Sequence, residues 1–246
     1  MRIAHLSDLH IDSKADVIYG VSPKENLSRA VSLLKKIPDI DVGIVTGDIT
    51  NDGEYESLVK ADELLSPLGF PIYVLAGNHD NVEIVKRLAD TIRKMQAKGS
   101  FNIGSCHFLM LNSVWKDETK GNKSRGLLSS DELDRIRSFA GCHEPVILAM
   151  HHPVIETGSW LDKRLLSNRE QLLGIIKNYP NIKLVLCGHN HYPEQIQIGQ
   201  CLFCTAPSVS TSYSPYRKPF EEGYTPGFNI IDFYSDLISV KTHYLY

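Results

Sequence analysis

The sequence predicts an α/β fold in which at least some strands pair in parallel. Three observations carry this. Short apolar runs alternate with amphipathic stretches in strand, helix, strand order; the apolar runs are short enough for buried strands; and each ends in a cluster of polar residues. With 246 residues, 42% of them hydrophobic, the chain buries most of its apolar surface on folding and needs no disulfide or structural metal to do so.

Taken in order, residues 3–6 read as the first strand. Ser22-Pro23-Lys24-Glu25 then starts a helix: Ser22 caps, Pro23 fits the first helical position and Glu25 completes a capping box. Leu27, Ala30, Val31 and Leu34 form its apolar stripe, and Pro38 stops it. Residues 42–46, 72–76, 145–150 and 183–187 read as further strands. Residues 54–65, 82–96, 130–139 and 168–177 read as further helices. Residues 101–112 and 195–205 carry Gly104 and Gly199 between alternating segments, as hairpins do, and 228–234 with 238–244 flank a turn at Ser235-Asp236. Residues 116–126 and 208–227 read as loops. No repeat or linker interrupts the chain, so a single domain over residues 1–246 is expected.

Charge and composition exclude several function classes. Lys plus Arg is 26 against 29 Asp plus Glu, a net charge of −3, which offers no basic excess for a nucleic-acid backbone. No run approaches the roughly 18 apolar residues of a membrane span. Five cysteines without framework spacing point to a reduced, cytoplasmic protein. Cys201 and Cys204 match C-x-x-C but fall in a β-patterned run, where residues three apart face opposite sides, so both read as core.

The chemistry gathers after the strands. Five strand ends give Asp8-Leu-His10, Gly47-Asp48, Gly77-Asn78-His79-Asp80, His151-His152-Pro153 and Gly188-His189-Asn190-His191. Ligands bind outside the carboxyl ends of strands in open α/β sheets, so these five ends suggest one shared site. In an extended segment residues i and i+2 point the same way, so Asp8 with His10, and His189 with His191, are each expected to reach one ion. Carboxylate, amide and imidazole donors without thiolate suit iron, manganese or zinc. Seven donors exceed the needs of one tetrahedral ion but match two ions sharing a carboxylate, about 3.5–4 Å apart.

The ordered set D-x-H, G-D, G-N-H-D, H, G-H-x-H resembles the calcineurin-like metallophosphoesterases. The stretches from His5 to His10 and from His151 to Asp162 resemble the class III cyclic nucleotide (cyclic-AMP) phosphodiesterases. The resemblance implies two packed mixed β-sheets flanked by helices. It implies that Asp8, His10, Asp48 and His191 hold a first metal ion, and that Asp48, Asn78, His151 and His189 hold a second. His79 would be the catalytic residue that helps the leaving oxygen depart, and Asp80 would orient His79 or close its turn. His5 and His152 are expected beside the ligands or the substrate.

The expected reaction is hydrolysis of a small-molecule phosphodiester by hydroxide held between the ions, with 3′,5′-cyclic nucleotides first and glycerophosphodiesters second. A phosphomonoesterase, a nuclease and a silent binding scaffold of the same fold stand as alternatives. The resemblance also points to a homodimer. Trp160, Tyr192, Tyr213 and Tyr216 read as loop packing ahead of nucleobase contact. Lys116, Lys120, Lys123 and Arg125 read as solvated surface. His107, His143 and His243 lie outside the motifs and read as ordinary surface or hairpin residues.

Overall fold

A computed structural model describes all residues except 88–93, 116–123, 213, 215–224 and 235–236. Two six-stranded mixed sheets pack face to face with helices on their outer sides. In chain order the elements of the first half are β1 (Arg2–Leu6), α1 (Pro23–Leu34), β2 (Val42–Thr46), α2 (Tyr55–Leu65), β3 (Ile72–Leu75), α3 (Val82–Lys86) and β4 (Met95–Gln96). The hairpin β5 (Ser100–Ile103) and β6 (Cys106–Met110) follows, then α4 (Ser130–Ala140) and β7 (Val146–Ala149). After a 3₁₀ turn (Trp160–Arg164) come α5 (Arg169–Asn178), β8 (Ile182–Cys187), β9 (Glu194–Ile198), β10 (Cys201–Thr205), β11 (Gly227–Tyr234) and β12 (Leu237–Tyr244).

The first sheet has the order β12-β11-β1-β2-β3-β4 and the second β5-β6-β7-β8-β10-β9. β1 through β4 run parallel, as do β6, β7, β8 and β10, while β11, β12, β5 and β9 are antiparallel to their neighbours. The parallel strands are buried on both faces, which is why they read as continuous apolar runs without alternation. Ile3, Ile44 and Leu75 face Phe108, Ile147 and Leu186 across the sheet interface. Leu6, Val45 and Val74 face α1 and α2 on the outside, and Leu148 and Val185 face α4 and α5. Cys201 lies in the outer core and Cys204 in the inter-sheet core, so the two thiols do occupy opposite faces of β10.

One element departs from the sequence reading. The helix expected over residues 82–96 begins as expected but closes at Lys86, and Met95 and Gln96 form β4 on the sheet edge. Pairing with Ile72 and Tyr73 buries Met95, and the Asp62 carboxylate accepts the N–H groups of Lys94 and Met95 at 3.0 and 2.7 Å. Edge pairing thereby outweighs helical periodicity in this segment. The cap of α3 is Asn81, whose side chain accepts from the N–H groups of Glu83 and Ile84. Among the described residues no helix is long and apolar enough to cross a membrane.

Candidate metal centre

The loops after β1, β2, β3, β7 and β8 converge at one pole of the two sheets. The β1 and β2 loops run side by side beyond the strands, with Asp8 N–H on the Gly47 carbonyl, His10 N–H on the Asp48 carbonyl and Ile11 N–H on the Ile49 carbonyl, each at 3.0 Å. Asp8, His10, Asp48, His189 and His191 all have positive φ, between 47° and 70°. Each such non-glycine residue costs roughly 1–2 kcal/mol, and strain of this kind gathers at functional sites. The backbone there is therefore not extended, and the i, i+2 argument is corrected. His189 and His191 do not reach one point; the left-handed residues aim them into the two halves of the site.

Each carboxylate commits one oxygen to another motif and presents the other. Asp8 Oδ2 accepts the N–H of His189 at 3.0 Å, and Asp48 Oδ1 accepts the N–H of His79 at 2.8 Å. The presented Asp8 Oδ1 lies 3.3 Å from His191 Nε2 and 4.0 Å from His10 Nε2, and those two nitrogens are 3.1 Å apart. Asp48 Oδ2 lies 3.8 Å from His10 Nε2 on one side and 3.4 Å from His151 Nε2 on the other. His151 Nε2 is in turn 3.1 Å from both Asn78 Oδ1 and His189 Nδ1.

Glycine is required where the carboxylates are approached. A Cβ on Gly77 would strike Asp48 Oδ1 and the Asp48 backbone nitrogen, and one on Gly188 would strike Ser7 Oγ and Asp8 Oδ2.

Backbone carbonyls set the tautomers. His191 Nδ1 donates to the Thr211 carbonyl at 2.5 Å and His151 Nδ1 to the Thr46 carbonyl at 2.8 Å. This turns His191 Nε2 toward Asp8 Oδ1 and His10 Nε2, and His151 Nε2 toward Asp48 Oδ2, Asn78 Oδ1 and His189 Nδ1. Asp8 Oδ1 is a buried carboxylate oxygen with no hydrogen-bond partner. This convergence of buried nitrogen and oxygen donors, with histidines oriented by backbone carbonyls, fits a transition metal.

The electrostatics agree. Burial alone would raise Asp48, but the charge and hydrogen bond of His151 hold its carboxyl well below the usual range. Burial works to lower His151, and the Asp48 carboxylate outweighs it and lifts the imidazole to about 9. The field that draws a proton to His151 also favours a metal cation there. Burial holds His10 at about 3 and keeps His189 well below its ordinary value, so both present neutral imidazoles.

The other expected site residues have distinct places. His79 is exposed at the rim, its Nδ1 on the Asn51 carbonyl at 3.1 Å and its ring edge-on to His10 with centroids 4.9 Å apart. Asp80 closes the turn after β3. Its carboxylate accepts from the N–H groups of Gly77, Ile49 and Thr50 and from the Thr50 hydroxyl at 2.8–3.0 Å. Burial and the Asp48 charge still push Asp80 up to about 6. His5 is fully buried beneath the site with Nε2 on Thr46 Oγ1 at 3.0 Å. His152 is also fully buried, with Nδ1 on Ser113 Oγ at 2.8 Å and its ring 4.7 Å from that of His189.

Thr46, Asn51 and Thr211 orient three histidines and had no signal in the sequence, because each acts through its backbone carbonyl. Trp160 packs its loop down, with Nε1 donating to the Ser214 carbonyl at 3.0 Å and Arg164 lying 5.0 Å from the ring centroid. Arg125 is exposed. Tyr213, Tyr216, Lys116, Lys120, Lys123 and most of loop 208–227 lie outside the described residues.

Comparison with known proteins agrees with this geometry. The model of the calcineurin-like phosphoesterase family matches residues 1–193. The chain is 29% identical over 240 residues to a 3′,5′-cyclic-nucleotide phosphodiesterase of Nostoc sp., covering 95% of this chain and 88% of that one. It is 26% identical over 243 residues to the 3′,5′-cyclic adenosine monophosphate phosphodiesterase CpdA of Pseudomonas aeruginosa, covering 95% and 86%. A dimetal phosphatase structure from Danio rerio superposes with a TM-score of 0.70 at 12% identity, covering 100% of this chain and 96% of that one.

Proposed function

The chain belongs to the calcineurin-like phosphoesterase family and is a metal-dependent phosphodiesterase, and we propose that it hydrolyses 3′,5′-cyclic nucleotides, cyclic AMP first, at a two-metal centre. Asp8, His10, Asp48 and His191 would hold one cation, and Asp48, Asn78, His151 and His189 the other. The observation that carries this reading is Asp48 Oδ2, which faces His10 Nε2 on one side and His151 Nε2 on the other. Iron, manganese or zinc bound by these residues would supply positive charge for the phosphate oxygens and a more acidic water.

The chain's own residues do the rest. Asp8 and Asp48 are fixed by the backbone N–H groups of His189 and His79, so the donors are preorganised before substrate arrives. His79, with Nδ1–H held on the Asn51 carbonyl, presents Nε2 at the rim. When protonated, Nε2–H donates to the ester oxygen that departs in line with the attacking water, and the cyclic diester opens to a nucleoside monophosphate. The relatives named as cyclic-nucleotide phosphodiesterases support this substrate class. Five unpaired cysteines support a reducing, cytoplasmic setting.

The test is hydrolysis by the manganese-loaded protein of cyclic AMP, cyclic GMP, a 2′,3′-cyclic nucleotide, a glycerophosphodiester and an aryl phosphomonoester, with Asp48→Asn as control. Fast cyclic AMP turnover lost in Asp48→Asn supports the reading. A preference for the glycerophosphodiester by orders of magnitude keeps the chemistry and overturns the substrate. Turnover of the monoester alone overturns the phosphodiesterase reading.

A further inference from the structure

We propose a second, separate metal site at the opposite end of the second sheet, formed by Nε2 of His107, Sγ of Cys142 and the carboxylate of Glu144. It goes beyond the catalytic reading and does not depend on it. His107 is the second residue of β6, and Cys142 and Glu144 lie in the connection from α4 to β7. Their donor atoms all lie within 4.8 Å of one another, and His107 Nε2 is 3.9 Å from Glu144 Oε2. A tetrahedral zinc site has donor–donor edges of about 3.3–3.6 Å from its bond lengths. A small rotation of the exposed Glu144 side chain closes the difference.

Four further features match a ligand set. His107 Nδ1 is 2.8 Å from Asn102 Oδ1, which fixes the tautomer so that Nε2 presents a lone pair toward Glu144 and Cys142. Asn181 Nδ2 donates to the carbonyls of Cys142 and Glu144 at 3.0 and 3.1 Å, so the connection is held in shape without the ion. The Cys142 thiol donates to the Phe139 carbonyl at 2.9 Å, which holds its sulfur at the cluster. The cluster also sits just past the end of α4, where the helix dipole favours a cation. Cys142 and His143 line an open surface depression with Tyr179, Lys183 and Gln200, which gives an ion a path in.

On binding, the Cys142 thiol proton leaves to solvent and a sulfur–metal bond replaces it. One thiolate, one imidazole and one carboxylate suit zinc or cobalt over magnesium or calcium. The ion would tie the β5–β6 hairpin to the α4–β7 connection.

The catalytic cluster contains no cysteine, so thiolate coordination distinguishes the two sites. Cobalt(II) titrated into the manganese-loaded enzyme is expected to give the near-ultraviolet thiolate-to-cobalt charge-transfer band at one equivalent. Cys142→Ser should abolish it, and His107→Gln, which leaves the thiol in place, should weaken cobalt binding at least about tenfold. Phosphodiester turnover should be unchanged in both variants. The absence of a band at millimolar cobalt, or a band that survives Cys142→Ser, overturns the proposal. Should Cys142→Ser fail to fold, His107→Gln decides alone, and unchanged affinity in it overturns the proposal.

Discussion

Asp48 accepts the backbone N–H of His79 through Oδ1 at 2.8 Å, so the carboxylate that faces both halves of the metal centre also sets the position of the histidine proposed to act on the leaving group. Asp48→Asn can keep its carbonyl oxygen on that N–H while placing a neutral amide between the two clusters. It is expected to fold normally, to bind manganese more weakly and to lose at least about 10²-fold in kcat, the scale of removing one preorganised electrostatic element. Asp48→Ala should lose thermal stability as well, because the His79 N–H then loses its acceptor. Equal melting temperatures for the two variants would separate His79 from Asp48.

In the proposed mechanism His79 acts on the leaving group and not as a ligand. His79→Gln should lower kcat by about 10²–10⁴-fold with metal content unchanged by elemental analysis. The loss should shrink for an aryl phosphodiester, whose leaving oxygen needs little protonation. Loss of metal from His79→Gln would make the ring a ligand.

Asp8 Oδ1 is buried without a hydrogen-bond partner beside His191 Nε2 and His10 Nε2, so the metal-free protein should be measurably less stable than the loaded one. Manganese at 100 times its dissociation constant adds about 2.7 kcal/mol, or roughly 5–10 °C in melting temperature for a chain of this size. Scanning calorimetry of chelator-treated and reloaded protein reads this directly. A shift of less than a degree would contradict it.

Gly77→Ala forces a Cβ into Asp48 Oδ1 and the Asp48 backbone nitrogen. It should weaken manganese affinity by about 10–100-fold, as when a ligand loses its support. Titration calorimetry of Gly77→Ala against wild type measures it, and equal affinities would show that the turn yields without moving Asp48.

Burial lifts the Glu194 carboxyl to about 7, with the charge of Asp162 adding and hydrogen bonds to Thr157 and Asn190 opposing. A carboxyl raised above its unfolded value near 4.5 favours the folded state fully below that pH and ceases to do so as pH rises through about 7. Glu194→Gln should therefore match wild type near pH 4.5 in urea unfolding and exceed it at pH 8, by on the order of 1–2 kcal/mol after allowance for its partial exposure. A gain that does not grow with pH would place the Glu194 carboxyl at an ordinary value.

Much of this was legible in the sequence because both faces of the central strands are buried and the donors directly follow them. Val42–Thr46 followed by Gly47-Asp48 is the plainest case: an uninterrupted buried run, then a turn glycine, then a carboxylate. Motif order carried the split of His189 and His191 between two clusters, whereas local geometry misled. The i, i+2 rule assumes extended backbone, and these residues are left-handed. The carbonyls of Thr46, Asn51 and Thr211 left no trace because any residue supplies a carbonyl. β4 was hidden because two residues at a sheet edge owe their conformation to Ile72, Tyr73 and Asp62, and not to their own pattern.

The central claim is a pair of cations bridged by Asp48, and anomalous diffraction from crystals of the manganese-loaded protein tests it most directly. The account predicts two peaks about 3.5–4 Å apart, one within reach of Asp8, His10 and His191, the other within reach of Asn78, His151 and His189, with Asp48 Oδ2 touching both and His79 touching neither. A single peak at saturating manganese, or a pair that Asp48 does not bridge, would contradict it.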